Sequence, residues 1–537
     1  MAATGITFES LPREIHALVQ SSLPPVDVKS TRLASTACSR AYRLHCQRVY
    51  LSASSRDITV LRAIADSPSY RNDVEELVWD DARLVTKPRR FDPYSNDDDD
   101  DDSDDEAADG TCPGWFRRGC ERSIQDLKDT PCRDGPLPQH VRKRTLLRAA
   151  WDLDQCWEFY KALLVDQEQV LQSGSDIEAL RYALQHFPSL RTITITPTAH
   201  GKLFMPAYQT PKIRSFPENL IYPIPYAWPY CDPGNNQPEV QPWNGNDGIW
   251  SGYSKILQTL EDCKNNITDF IVDTHGFDTG INCYAVCDES SVQANLAKLC
   301  ARQGFRRLDL ALFVNGLEHD GFMPLRSGKL YSTLSAAKDI EHFHFSTSLE
   351  MDMSGEAAQL DEDDEDMDEH HLPLRSLFPV DTWSNLRFFG ITKFLVLTSD
   401  LVDLLGVLPQ SVARVELNFL MFLQRGTYGD LLEQMRQRLD WANRALDARP
   451  RVVISVPPDA NDRPTLVVTV DNQVNAFLYQ NGPNPFFSSD MGVMANYAEH
   501  GVGAVEWDWL DPEHRRPYAD DETQQEQGYY GYMDWDE

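Results

Sequence analysis

The sequence predicts a mixed helix–strand fold of the α+β or α/β class: a small helical module at the N-terminus, then an irregular strand–helix repeat broken by long insertions. Three observations predict it. Apolar residues at helical spacing mark the first fifty residues. An apolar-x-x-apolar-x-apolar pattern returns seven times between residues 74 and 417. Most copies follow a stretch with helical periodicity, such as DIEALRYALQHF, YSKILQTLEDC, SVQANLAKLCARQ or TSDLVDLLGVL.

In the N-terminal module, Leu11, Ile15, Leu18 and Val19 fall on one stripe of a first helix. Ser10 can cap it, and Pro12 sits in the first turn, where a missing N–H costs little. Leu23-Pro24-Pro25 stops it. Asp27 is placed to cap a second helix, roughly 28–37, carrying Leu33. A third is expected with Tyr42, Cys46 and Val49 on one side. Three short helices in about forty residues bury little surface alone. Such a unit needs a neighbour, either the rest of the chain or a partner.

These residues resemble an F-box, the module that joins a protein to the adaptor subunit of a cullin-RING ubiquitin ligase. The matching positions are Leu11-Pro12, Glu14-Ile15, Val19, Leu23, Pro25, Asp27-Val28, Arg32-Leu33 and Cys38. The chain departs at His16, where an apolar residue is usual, and at Ser39-Arg40-Ala41-Tyr42, which replaces a basic-x-Trp pattern. The continuation to about residue 85 is similar to the segment after the F-box in a large family of fungal F-box proteins. The resemblance implies a non-catalytic substrate-recognition subunit of an SCF-type ligase. Leu11, Pro12, Ile15, Val19, Leu23 and Leu33 would face the adaptor, the cullin would join through it, and the rest of the chain would hold an unknown protein target.

The repeat is carried by Val74-Leu77-Trp79, Leu190-Ile193-Ile195, Ile267-Phe270-Val272, Phe305-Leu308-Leu310, Ile340-Phe343-Phe345, Leu386-Phe389-Ile391 and Val412-Val415-Leu417. A further segment, RVVISV, simply alternates. The pattern is similar to a leucine-rich repeat, in which a short strand alternates with a helix and stacked units bury a shared face. The resemblance implies a curved solenoid over 51–456, after a 1–50 F-box module. The spacing is irregular, and an ordinary α/β domain would also set a helix before each strand.

Side chains between the inward positions point the other way. They are Thr192, Thr194, Asp269, Arg307, Asp309, His342, His344, Arg414 and Glu416, and they are expected to line the face that docks a target. Arg307-x-Asp309 and Arg414-x-Glu416 repeat one order, basic-x-acidic, at equivalent positions; His342-Phe343-His344 and Phe388-Phe389-Gly390 between them do not continue it. Every solenoid exposes such positions, so the charge order is what singles these out.

Acidic, disordered insertions are expected at about 92–110 and 351–371. Residues 197–250 are dense in Pro, Tyr and Trp and are expected to pack along the repeat. In the C-terminal extension, 457–510, TLVVTVDNQVNAFLY reads as a hairpin around Asp471-Asn472, and 511–537 reads as a disordered acidic tail.

The net charge of -33 is mostly local: 97–109 hold ten carboxylates, 361–369 eight and 519–537 seven, leaving 58 acids against 50 bases. Deleting 97–109 and 361–369 is expected to leave the thermal midpoint nearly unchanged, because ordering them would cost backbone entropy with no apolar burial in return. A large drop in a calorimetric scan would mean that they dock on basic surface. Such a chain makes nucleic acid an unsuitable partner. No apolar run spans a membrane and no secretory signal opens the chain, so a cytoplasmic or nuclear location with reduced thiols is expected. No catalytic motif, cofactor site or metal-ligand spacing stands out: Ser251-Gly252 lacks a nucleophile elbow's first glycine, and His370-His371 lies in a solvated acidic stretch. The expectation is a binding protein, not an enzyme. The alternative to a ligase subunit is an acidic repeat scaffold that holds basic proteins.

Overall fold

The structure is a computed structural model. It describes residues 8, 11–86, 112–349, 371–457, 467–498 and 502–506, with short breaks at 24, 129–131, 134–137, 232–237, 244–247, 319–320, 490–491 and 503, and the pair Tyr530–Gly531. The acidic insertions and the tail lie outside these residues, apart from His371 and that pair.

The fold is mixed α/β around one large parallel sheet. Its nine successive strands are β1 (Arg48–Ser52), β2 (Glu76–Asp80), β3 (Thr192–Thr196), β4 (Asp269–Val272), β5 (Arg307–Phe313), β6 (His342–Thr347), β7 (Phe388–Thr392), β8 (Arg414–Asn418) and β9 (Arg451–Val453). Their order in space is their order in the chain. A short strand, Ile281–Asn282, also pairs with β5.

Register is set by the apolar pattern, since a slip of one residue would turn every core side chain outward. Val49, Leu77, Ile193, Phe270, Leu308, Phe343, Phe389, Val415 and Val452 stand side by side across the sheet. All of them are buried. The entry to the strands repeats just as regularly. The carbonyls of Gln47, Glu75, Arg191, Thr268, Arg306, Glu341 and Arg387 each accept two successive N–H groups from the next strand's start. In all seven copies of the sequence pattern the last two apolar positions fall on these strands and the first lies two residues before the strand starts, with every apolar position buried. β1 is an eighth copy, Cys46-Val49-Leu51, with cysteine in the first apolar place.

Helices cover the core face in chain order. They include Ser55–Asp66, Ser175–His186, Ser251–Asp262, Ser291–Cys300, Lys329–Ser335, Thr398–Gly406, Tyr428–Arg438 and Asp471–Gln480. Each buries residues three or four apart, as Ile256, Leu257 and Leu260 do. Several begin at side-chain caps: Ser54, Ser290 and Thr427 each accept a backbone N–H from the first turn.

Two expectations are corrected at the ends of the chain. The third N-terminal helix does not run on to Val49. Helices α1 (Arg13–Ser21), α2 (Pro25–Ala34) and α3 (Thr36–Ala41) are followed by an extended link, and Val49 already belongs to β1. Asp27 lies inside α2's first turn, and Ser10 lies outside the described residues. The hairpin around Asp471-Asn472 is also replaced. Val467–Thr469 is a strand, but it pairs with Ser455–Val456 and Ala504–Glu506, and Asp471–Gln480 is a helix. Val474, Phe477 and Leu478 have helical spacing and are buried together. Asn475 of that helix also closes the edge of β9: its side chain accepts from Val452 N–H at 3.0 Å and donates to Val452 C=O at 2.7 Å.

Residues 112–128, the helix that carries Tyr160 and the Pro/Tyr/Trp-rich insertion 197–250 build a second core. Trp115, Phe116 and Cys120 of helix Gly114–Lys128 pack with Tyr160, Leu203, Ile221 and Tyr222. The 197–250 insertion then grips the sheet through Asp81, whose carboxylate accepts the indole N–H groups of Trp79 at 3.1 Å and Trp228 at 3.0 Å. Gly252 makes room for that carboxylate, because a Cβ there would stand 1.8 Å from Asp81 Oδ1. Gly252→Ala is expected to destabilise the fold by about 1–3 kcal/mol, the usual cost of overpacking. An unchanged melting midpoint would mean that Asp81 can leave its two indoles freely.

Candidate functional site

Side chains that alternate with the core form the opposite face of the sheet. The insertion covers one end of it: Ala199, Tyr208 and Ile213 pack on Tyr50 and Val78 of β1 and β2. Beyond this cover the face opens into a cleft of about 940 Å³. Arg48, Thr194, Asp269, Arg307 and His344 line its floor, and Tyr208 and His275 stand on its wall.

The charges on the floor are paired. Arg48 meets Glu76 at 2.6 Å, and Arg306 meets Asp269 at 3.3 Å. On the wall, the Tyr208 hydroxyl donates to Asp273 at 2.8 Å, His275 lies 3.2 Å from the same carboxylate, and Arg48 lies over the Tyr208 ring. At the far end an enclosed ion pair joins Lys393 to Asp278, and Lys393 also donates to the Gly276 carbonyl at 3.0 Å. Burial still holds the Asp278 carboxyl above its usual value, against the pull of Lys393.

From β5 to β8 the face carries one continuous array. Arg307 donates to both oxygens of Asp309, at 3.0 and 2.6 Å, and His342 lies 3.2 Å from Asp309. His342 stacks on Phe388 with ring centroids 3.9 Å apart, and Arg414 also lies over Phe388, 5.9 Å from its centre. Arg414 Nε donates to Glu416 at 2.8 Å. Burial alone would raise the Asp309 carboxyl, but the hydrogen bonds from His342 and Arg307 overturn this and hold it well below the carboxylate range. Burial keeps His344 below its usual value; it lies across Gly390 and bonds Thr392 at 2.9 Å. Gly390 is needed there, since a Cβ would stand 2.5 Å from the His344 ring.

The structure therefore brings Thr192, Thr194, Asp269, Arg307, Asp309, His342, His344, Arg414 and Glu416 onto one face. The units between the two basic-x-acidic pairs do not continue the charge order. Instead His342 and Phe388 bridge them by stacking. Sequence reasoning missed Arg48, Tyr208, Asp273, His275 and Arg306. Arg48 had a signal, because it precedes Val49 in the eighth copy of the pattern as Arg307 precedes Leu308 in its own. Tyr208 and His275 had none, being carried by loops.

The six residues assigned to the adaptor divide into two groups. Pro12, Ile15 and Leu33 are exposed, Leu33 by 80%. Leu11 is half-buried, and Val19 and Leu23 pack on Val28, Cys38 and Tyr42 inside the module. Leu18 is exposed as well. His16 is the buried residue of α1, with Nδ1 3.1 Å from the Tyr42 hydroxyl.

Among the described residues, no helix is long and apolar enough to cross a membrane, and no group of three His, Cys, Asp or Glu could hold a metal ion. No protein-family model, no curated protein and no solved structure matches the chain.

Proposed function

We propose that this protein is the substrate-recognition subunit of a cullin-RING ubiquitin ligase of the SCF type. The N-terminal helices act as an F-box that binds the adaptor. The strand–helix repeat acts as a leucine-rich-repeat-like solenoid that presents the paired-charge face to a protein target. The observation that carries the reading is the outward position of Ile15, Leu18 and Leu33 on a module with a small core of its own. An apolar surface of this kind is suited to a partner protein. Strands that follow one another in chain order, with one apolar ladder through all nine, support the repeat reading. The mechanism is proximity: a target lysine held near a charged conjugating enzyme reacts at a raised effective concentration.

The test is affinity purification of the full chain. Recovery of an adaptor and a cullin, stable to salt, is the expected result. Recovery of basic proteins alone, lost at high salt, would replace this reading with an acidic scaffold.

A further inference from the structure

Where β2 ends, Asp80 faces His200 of the insertion, and the charge of Lys212, from the same insertion, reaches both. Asp80, His200 and Lys212 are 2%, 0% and 3% exposed. Asp80 Oδ1 accepts the Ala82 N–H at 2.9 Å, while Oδ2 has no hydrogen-bond partner. His200 Nδ1 pairs with the Tyr222 hydroxyl at 2.9 Å, while Nε2 has no hydrogen-bond partner. Lys212 anchors its backbone N–H on Asp57 at 2.7 Å, but its enclosed Nζ has no partner either. His200 Nε2 and Asp80 Oδ2 stand 3.8 Å apart, too far for a direct hydrogen bond. Lys212 acts electrostatically on both.

Polar groups buried without partners are costly, and charged ones most of all. One water meets all three needs. It accepts from the ammonium, donates to the imidazole, and donates to Asp80 when that group is ionised or accepts from it when it is protonated; the imidazole in turn donates from Nδ1 to Tyr222. Buried waters typically make about three such bonds. We propose that Asp80, His200 and Lys212 enclose a single water molecule that fastens the insertion to the end of β2. Tyr208, which forms the cleft wall, belongs to the same segment, so this latch also sets the width of the cleft. The inference is independent of the ligase reading.

The site is proton-balanced. Burial raises the Asp80 carboxyl to about 7, with Asp57 and Asp81 adding to the rise and Lys212 opposing it. Burial, with the charge of Lys212, holds His200 well below its usual value. Below about pH 6.5, for as long as the folded imidazole stays neutral, the unfolded chain carries the proton on the imidazole and the folded chain carries it on the carboxyl. Folding then takes up no net proton here, and the pair adds no slope to stability.

Single substitutions should expose the two halves with opposite sign. In His200→Gln only the raised carboxyl remains, so stability falls as pH rises from about 4 to about 7. In Asp80→Asn only the lowered imidazole remains, so stability rises with pH up to about 6.5. Each slope can reach about tenfold in the folding constant per pH unit. Denaturant titrations of the full chain at several pH values read both. Two variants that keep the wild-type slope would overturn the proposal. If either fails to fold, a high-resolution crystal structure of the unaltered chain decides. One ordered water within about 3.2 Å of all three atoms is expected. Direct closure of the three side chains, or another species in their midst, would overturn it.

Discussion

Arg307→Glu is expected to destabilise the fold by about 3 kcal/mol, the low end for stranding a buried charge, because Arg307 itself is partly exposed. The loss comes from Asp309, which is 8% exposed and depends on Arg307 for two hydrogen bonds. The effect should depend on pH in a defined sense. In the native protein the Asp309 carboxyl lies below its unfolded value. Its contribution is therefore fully present above about pH 4 and is lost only as pH falls through the lower folded value. In the variant two carboxylates share the site, and one of them titrates high. The stability gap between variant and wild type should narrow as pH falls from 7 to 4. Urea unfolding at both pH values measures it, with Arg306→Glu as the more exposed control. A gap that is constant or widens toward acid would mean that Asp309 does not depend on Arg307.

The same geometry governs any test of target docking. Reversal of Arg307 and Arg414 together is expected to abolish target recovery, but both guanidiniums already serve carboxylates beside them. Reversal would strand those carboxylates and lower stability as well, so the melting midpoint has to be read alongside recovery. Phe388→Ala removes the centre of the array without leaving a charge unpaired.

The second large effect concerns the N-terminal module. Ile15→Ala with Leu33→Ala is expected to weaken adaptor binding by at least thirtyfold, since truncating one central anchor commonly costs about 2 kcal/mol. Their side chains are exposed, 42% and 80%, so the melting midpoint should not move. Val19→Ala and Leu23→Ala should behave in the opposite way, loosening the small core around Tyr42 before they touch affinity. Calorimetric titration of the full chain with purified adaptor, beside thermal melts, separates the two pairs. Unchanged affinity in the Ile15 and Leu33 double variant would remove the F-box reading.

Much of the fold was legible in the sequence because period two is a strong signal on a buried strand. Leu308-x-Leu310 or Phe343-x-Phe345 leaves one choice of face, and the outward positions of Asp309 and His344 follow from it. Legibility failed where one residue type serves two periods. Val474, Phe477 and Leu478 lie in a run rich in strand formers, yet their spacing of three and four buries them on a helix. The first copy of the repeat was hidden because Cys46 and Val49, three apart, also fit the face of a helix. His16 looked like a defect in the F-box pattern, and only the packing revealed Tyr42 as its partner.

The sequence by itself determined the mixed α/β class, the seven strands and the alternation that sets one side of each against the core. These are local consequences of side-chain direction along a strand. Tertiary structure alone decided which outward residues act together. Arg307 and Arg414 are 107 positions apart, and it is the register of β5 to β8 that joins them through His342 and Phe388. The insertion that covers β1 and β2, the cleft it walls with Tyr208, and the burial of Asp80, His200 and Lys212 were likewise decided there. The physical reason is that hydrogen bonds and ion pairs depend on distance in space, and a spacing along the chain fixes that distance only within a single element.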